Sequence, residues 1–159
     1  MHVVKLLSLG MMTFALSQAP VVASAAEAAH KHASSPKGAL TLDHGKRWAT
    51  DSALRNGMSA IRKAMEAQHP AIHGNTLDAA GYASLAATLK PELNGIFANC
   101  HLPPAADAQL HNILLPMNAS IERMQQAKTV KERREAALAV IGGLADYGKV
   151  FDHPGWQPL

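Results

Sequence analysis

A single cysteine, Cys100, is the residue of this chain best suited to bind a soft metal ion. It lies in the sequence Asn-Cys-His-Leu-Pro-Pro, residues 99–104, and no second cysteine can pair with it within the chain. The chain also contains nine histidines and seven methionines. Thiolate and thioether sulfur favour Cu(I), and a set of two His, one Cys and a weak Met is a known copper pattern. Cys100 is therefore either a core residue or a copper ligand.

The N-terminal segment predicts export. Lys5 precedes an apolar stretch, residues 6–16, which has the length of a signal-peptide core and is too short to span a bilayer. Ala23 and Ala25 then form an A-x-A cleavage pattern. We therefore predict a signal peptide over residues 1–25 and a periplasmic mature protein that has no membrane attachment after cleavage.

Composition and charge indicate one helical domain. Without Lys5 the net charge falls from +3 to +2, which is too small to indicate a nucleic-acid partner. Aromatic residues make up only 4% of the chain and alanine is abundant, which favours helix over sheet. The mature length fits one ordinary domain.

The segment over residues 26–46 is rich in Ala, Ser, Lys and His and has little to bury, so we predict a flexible leader there. His30, His32 and His44 lie in or beside it, and solvated histidines are the simpler interpretation of all three. The folded domain is predicted to cover residues 47–159, starting near Trp48.

Apolar residues at helical spacing predict the first helix, with an N-cap among residues 50–52. Proline disfavours helix in the residue before it, so the helix should end near His69, ahead of Pro70. His69 and His73 have the spacing of a metal-binding pair, but a helix broken at Pro70 would not align them, and we predict that both are loop residues. The apolar stripe consists of Leu54, Met58, Ile61 and Met65.

The second helix is predicted to follow residues 74–76, with Thr76 as its cap. Cys100 continues its apolar face. Pro91 lies within the pattern and should kink or divide the helix. The apolar face consists of Leu85, Leu89, Leu93 and Ile96.

Two further helices are predicted over residues 104–127 and 129–151. Pro104 suits a first helical turn, whereas Pro116 should kink the third helix because it leaves the carbonyl of Asn112 without its usual donor. The glycine pair at 142–143 permits close approach of another helix, which allows a homodimer without requiring one. The stripe of the third helix is Leu110, Leu114, Met117, Ile121 and Met124, and that of the fourth is Val140, Ile141, Leu144, Tyr147 and Phe151.

Four amphipathic helices with short connections predict an all-α, antiparallel up-down-up-down four-helix bundle. That topology brings the start of the first helix, the end of the second, the start of the third and the end of the fourth together. Four possible copper ligands fall at this end, with His44 and His101 near them. The candidate metal ligands are Met58, Cys100, His111 and His153.

Each candidate also has a structural interpretation. Met58 lies on a core stripe, and most core methionines only fill space. His111 lies toward the flank of its helix, and His153 reaches the site only if Pro154 turns the chain over the bundle end. Met65, Met117 and Met124 fall on regular apolar stripes and are predicted to be core residues.

The chain resembles the cytochrome b/c-prime superfamily of periplasmic four-helix bundles. The resemblance rests on residues 54–58, Leu-Arg-Asn-Gly-Met, and residues 147–153, Tyr-Gly-Lys-Val-Phe-Asp-His. It implies haem ligation by Met58 and His153. The chain lacks a Cys-x-x-Cys-His motif, with Phe97 in the place of the first cysteine, so covalent c-type haem attachment is not expected. We interpret the chain as a haem-lacking relative.

Three functions remain open at this point. The first is copper binding for sequestration, delivery or electron transfer, together with a periplasmic copper or redox partner. The second is electron transfer through haem b held by Met58 and His153. The third is a cofactor-free helical interaction or stress protein, in which Cys100 forms a disulfide dimer or stays buried and inert. An enzyme is not predicted, because no catalytic arrangement of carboxylates or of Ser, His and Asp stands out.

Overall fold

Residues 38–159 are described by the structure, a computed structural model of the chain. The predicted signal peptide and residues 26–37 of the predicted leader lie outside this range. The described part is all-helical, with two isolated β-bridges and no strand. Its four helices are α1 (Ser52–His73), α2 (Ala79–Asn99), α3 (Pro104–Gln126) and α4 (Val130–Val150).

Helix α1 begins at an Asp51 cap, whose Oδ1 accepts the Leu54 backbone N–H at 2.7 Å. It continues through Pro70 and ends at His73. The prediction that Pro70 ends the helix is wrong, as is the placement of His69 and His73 in a loop. A proline removes one backbone donor, and Pro70 is exposed in the last turn, where water can satisfy the carbonyl that this leaves free.

Helix α2 is capped by Asp78, which accepts the Gly81 N–H at 2.7 Å, and not by Thr76 as predicted. The Thr76 hydroxyl donates back to the Ala71 carbonyl at 3.4 Å instead. Pro91 does not divide the helix. Pro91 and Pro116 are both exposed, so in each case the missing hydrogen bond faces solvent.

Helices α3 and α4 match their predicted bounds to within one residue at each end. Pro104 occupies the first turn of α3, where its missing N–H has no cost. A capping box begins α4: the Thr129 hydroxyl accepts the Glu132 N–H at 3.2 Å, and the Glu132 carboxylate accepts the Thr129 N–H at 3.1 Å.

Successive helices pack on one another, and α4 also contacts α1. The backbone N–H of His101, after α2, donates to Asp51 at the start of α1 at 2.6 Å. At the other end of α1, Arg134 of α4 donates to the carbonyl of Ile72 at 2.8 Å. The first contact joins the end of α2 to the start of α1, and the second joins the start of α4 to the end of α1.

The core is filled by aliphatic side chains, four methionines and three large aromatic residues. Met65, Met117 and Met124 are buried, as predicted. No helix of residues 38–159 has the length and apolar character needed to cross a membrane. The largest fully buried side chains are Tyr82, Tyr147, Phe151, Leu54, Met58, Ile61, Met65, Ile72, Leu89, Leu93, Ile96 and Leu110.

Residues before α1 pack on the bundle. Leu40 lies against the core, the Thr41 N–H donates to Gln109 Oε1 at 2.9 Å, and the Trp48 indole donates to the Thr41 carbonyl at 2.7 Å. Part of the predicted leader, residues 38–46, thus belongs to the described fold. Trp48 also bridges to Phe151 through backbone bonds to residues 150 and 152, which holds the segment after α4 in place.

Loss of the α4 capping box should destabilise the fold measurably. We expect Thr129→Ala to lower the free energy of unfolding by about 1 kcal/mol, because the Glu132 N–H loses its acceptor. Urea denaturation followed by circular dichroism measures this. Thr88→Ala, at an exposed position inside α2, is the matched control and should change stability by less than about 0.5 kcal/mol. Equal effects of the two substitutions would contradict the role of the box.

Candidate metal centre

Cys100 caps the C-terminus of α2, where its N–H donates to the Ile96 carbonyl at 2.9 Å. The side chain is half-buried, and its thiol hydrogen-bonds to the carboxylate of Asp51. Burial raises the pKa of this thiol to about 12, and the negative charges of Asp51 and Asp107 add to the effect. The thiol is therefore protonated and a poor nucleophile at neutral pH.

Asp51 joins two parts of the chain at this point, the start of α1 and the end of α2. Its carboxylate accepts the backbone N–H groups of Leu54 and His101 and the thiol of Cys100. Burial raises the pKa of Asp51, but the hydrogen bonds from His101, Leu54 and Cys100 outweigh that effect and lower it overall. Asp51 is therefore charged at neutral pH and places a fixed negative charge beside the thiol.

His153 lies at the same end, in the segment that follows α4. Its Nδ1 is 2.9 Å from the hydroxyl of Tyr147, and its Nε2 is 3.3 Å from the hydroxyl of Ser59. Burial, followed by the positive charge of Arg55, lowers the pKa of His153 below its usual 6.5. The neutral imidazole has one donor and one acceptor nitrogen, so it can serve both hydroxyls.

An aromatic cluster holds His153 in this position. The ring of Trp156 lies 5.0 Å from that of His153 and packs edge-on against Tyr147 at 4.7 Å. Tyr147 in turn stacks on Phe151 at 5.3 Å. Gly148 permits this arrangement, because a Cβ at that position would lie 2.5 Å from Trp156 Nε1.

Tyr147 interacts with both the histidine and the cysteine, through a hydrogen bond to the first and electrostatically with the second. It has no exposed area, and its phenol is bonded to His153. Burial raises the pKa of Tyr147, and the charge of Cys100 in its thiolate form contributes to the rise, so the thiol and the phenol are electrostatic neighbours. The structure therefore brings Cys100 and His153 to one end of the bundle, near Tyr147.

The other predicted ligands are placed less favourably for a shared site. Met58 has no exposed area and belongs to the core, although it adjoins Ser59, which contacts His153. The Nδ1 of His111 lies 3.0 Å from the carbonyl and 3.3 Å from the carboxylate of Asp107, on its own helix.

The two histidines that the sequence places near the site are exposed. The side chain of His44 is 98% exposed, and His101 contributes a backbone N–H, not its ring, to the contacts described here. Among residues 38–159, no group of three or more His, Cys, Asp and Glu side chains is placed to hold a metal ion. Any metal at this end therefore requires side chains to rearrange, or a thioether ligand.

A cavity of about 240 Å³ opens beside His153. It gives solvent access to the imidazole from the side of α1. Its lining consists of Ser59, Arg62, His153, Gly155, Trp156 and Gln157.

Sequence reasoning missed the residues that organise this end. Asp51 is one of three candidate caps in the sequence, but its bonds to residues 100 and 101 span 49 and 50 positions and leave no local signal. Tyr147 was assigned only to the apolar face of α4. A buried tyrosine usually has a hydrogen-bond partner for its hydroxyl, and this preference could have pointed to a polar neighbour of Tyr147 such as His153.

No family model, curated protein or solved structure matches this chain. The resemblance to the cytochrome b/c-prime superfamily therefore stays a prediction, and the haem ligation that it implies stays one too. Both nitrogens of His153 are hydrogen-bonded, and Met58 is enclosed by the core.

Removing the charge of Asp51 should make Cys100 more reactive. Asn also caps helices well, so Asp51→Asn keeps α1 while removing the negative charge beside the thiol. We expect the thiol pKa to fall and the rate of alkylation by iodoacetamide at pH 8 to rise on the order of tenfold. Asp152→Asn, near Tyr147, is the control and should leave the rate unchanged. A rate that does not respond to Asp51→Asn would contradict the assigned contact.

The lowered pKa of His153 should make the fold acid-sensitive. The unfolded chain binds a proton near pH 6.5 and the folded chain only at lower pH, so stability is full above pH 6.5 and is lost as the pH falls through the folded value. We expect Tm to fall between pH 7.5 and pH 5. The fall in Tm should be smaller in His153→Gln than in the unmodified protein, and in His101→Gln it should equal that of the unmodified protein. Equal falls in all three proteins would refute this assignment.

Proposed function

We propose that this chain is an exported copper-binding protein that captures Cu(I) at the bundle end where Cys100 and His153 lie. Cys100 supplies the principal ligand, the His153 imidazole the second and the Met58 thioether the third. The observation that supports this most is that a thiol and an imidazole lie at the same end of the bundle, where the imidazole bonds to the hydroxyl of Tyr147 and the charge of the thiolate raises the pKa of that same phenol. Sulfur and imidazole together form a ligand set that suits copper.

The charges around the Cys100 thiol favour binding of a cation such as Cu(I). A thiol of pKa about 12 does not ionise by itself at neutral pH, so the incoming Cu(I) displaces the proton as the sulfur–copper bond forms. Asp51 remains charged and offsets the positive charge of the metal. The high pKa also keeps the free thiol from reacting with oxidants before copper arrives.

His153 can act as a ligand without being deprotonated. With its proton on Nε2 and directed at Ser59, the Nδ1 lone pair points at the hydroxyl of Tyr147. Copper would replace that hydroxyl as the partner of Nδ1. The bond to Ser59 would then fix the ring orientation, as outer partners of metal-bound histidines commonly do.

Met58 can complete the site from the core side, since it precedes Ser59 on α1 and is surrounded by apolar side chains. A thioether is an uncharged soft ligand, so its burial carries no charge penalty. Among the described residues, the ring of His111 contacts Asp107 and Phe97 and not Tyr147, so His111 stands outside the proposed set. The proposed role is binding for sequestration, delivery or electron transfer with a periplasmic partner, not catalysis.

Affinity for Cu(I) tests this proposal directly, by anaerobic competition with a chromophoric Cu(I) chelator. Cys100→Ser should lower the affinity by about 100-fold, and His153→Gln or Met58→Leu by about tenfold each. Leucine preserves the volume of Met58 and should retain the fold. His101→Gln and His111→Gln are the controls and should bind as tightly as the unmodified protein. Undiminished affinity in Cys100→Ser would refute the site.

Proton release gives a second signature of the same site. Because one thiol proton leaves for each Cu(I) bound, the apparent affinity should rise about tenfold per pH unit between pH 7 and pH 8.5. A flat profile would mean that the thiol is not a ligand. Haem binding with a Soret band that His153→Ala abolishes would instead favour the haem alternative.

A further inference from the structure

The last turn of α1 carries two histidines on one face. His69 and His73 are four residues apart in a continuous helix, so their side chains lie one above the other. Their ring centres are 4.3 Å apart, and the ring planes are inclined at 49°. His73 is exposed and His69 half-buried, so solvent reaches the pair.

This separation fits two imidazoles bound to one metal ion. A histidine nitrogen binds a metal at about 2.0–2.1 Å, which places the ring centre about 3.2 Å from the ion. Two rings at adjacent coordination positions, about 90° apart, then have centres about 4.5 Å apart. The observed 4.3 Å is close to this separation.

The surroundings leave both rings available to a ligand. Among the described residues, neither imidazole hydrogen-bonds to another group. The nearest acidic residue along the helix, Glu66, is paired with Arg62 at 3.0 Å. Arg134 donates to the carbonyls of Ile72 and His73 at 2.8 Å and 3.4 Å. Those two carbonyls are therefore engaged, and the site offers two nitrogen ligands with water in the remaining positions.

The position in the helix favours a cation, although one charge opposes it. The C-terminal end of a helix carries partial negative charge, which stabilises positive charge in the last turn. The guanidinium of Arg134 opposes this, but it lies against the backbone carbonyls and not between the rings.

We propose that His69 and His73 form a second metal site, which chelates Cu²⁺ in preference to other divalent cations. Imidazole suits Cu²⁺, and copper stands at the top of the affinity order for divalent first-row metals. The pair lies 18 residues along α1 from Asp51, which is about 27 Å of helix. One ion cannot bridge that distance, so this site is separate from the Cys100 site and does not depend on it.

Copper-induced broadening of amide NMR signals locates the site. The experiment uses the Cys100→Ser protein, so that no thiol can reduce Cu²⁺ and failure of the Cys100 proposal cannot affect the result. Substoichiometric Cu²⁺ should broaden the amide signals of residues 68–74 before those of the rest of the bundle. His69→Gln and His73→Gln should each lower the apparent affinity at these signals by about tenfold.

A double variant distinguishes chelation by the pair from binding by two independent histidines. The double variant should lose much less than the product of the two single losses, because either substitution alone already destroys the chelate. His44→Gln, which removes an exposed histidine far from the pair in sequence, is the control and should change nothing at these signals. Unchanged affinity after either single substitution, losses that multiply in the double variant, or no broadening in α1 would each overturn the proposal.

Discussion

The proposed copper site depends on the hydrogen bonds that the carboxylate of Asp51 accepts. It caps α1 through Leu54, accepts the N–H of His101 at the end of α2 and accepts the thiol of Cys100. One side chain thus fixes where two helices meet and sets the charge beside the cysteine. A charged carboxylate that accepts three hydrogen bonds is stabilised in its ionised form, which keeps both its position and its charge constant near neutral pH.

Aromatic rings surround His153 at the same end of the bundle. Trp48 bridges to Phe151 just after α4, and Trp156 and Tyr147 hold His153 in the segment that follows. This arrangement gives a protonated thiol and a neutral imidazole at neutral pH, and both can bind a soft cation without first requiring a change in pH.

The helices were predictable because their apolar residues recur at helical spacing. The stripe Leu54, Met58, Ile61 and Met65 is buried along its whole length, and α3 and α4 begin and end within a residue of their predicted bounds. Pro70 shows where local rules fail: an exposed proline near a helix end removes only one hydrogen bond, and α1 continues through it to His73.

The site was less predictable, because its decisive contacts are not local. Asp51 reaches Cys100 across 49 positions of sequence, and no periodicity records such a contact. Residue types alone suggested copper and selected Cys100 and His153, which share one end of the bundle. The same reasoning selected His111, whose ring bonds to Asp107, and set aside His69 and His73, which α1 aligns.

X-ray absorption spectroscopy of the Cu(I)-loaded protein is the most direct test of the central claim. The account predicts mixed scattering from sulfur at about 2.3 Å and nitrogen at about 2.0 Å, with part of the sulfur contribution lost in Cys100→Ser and the nitrogen contribution reduced in His153→Gln. A spectrum with nitrogen and oxygen scatterers alone, or one that Cys100→Ser leaves unchanged, would contradict it.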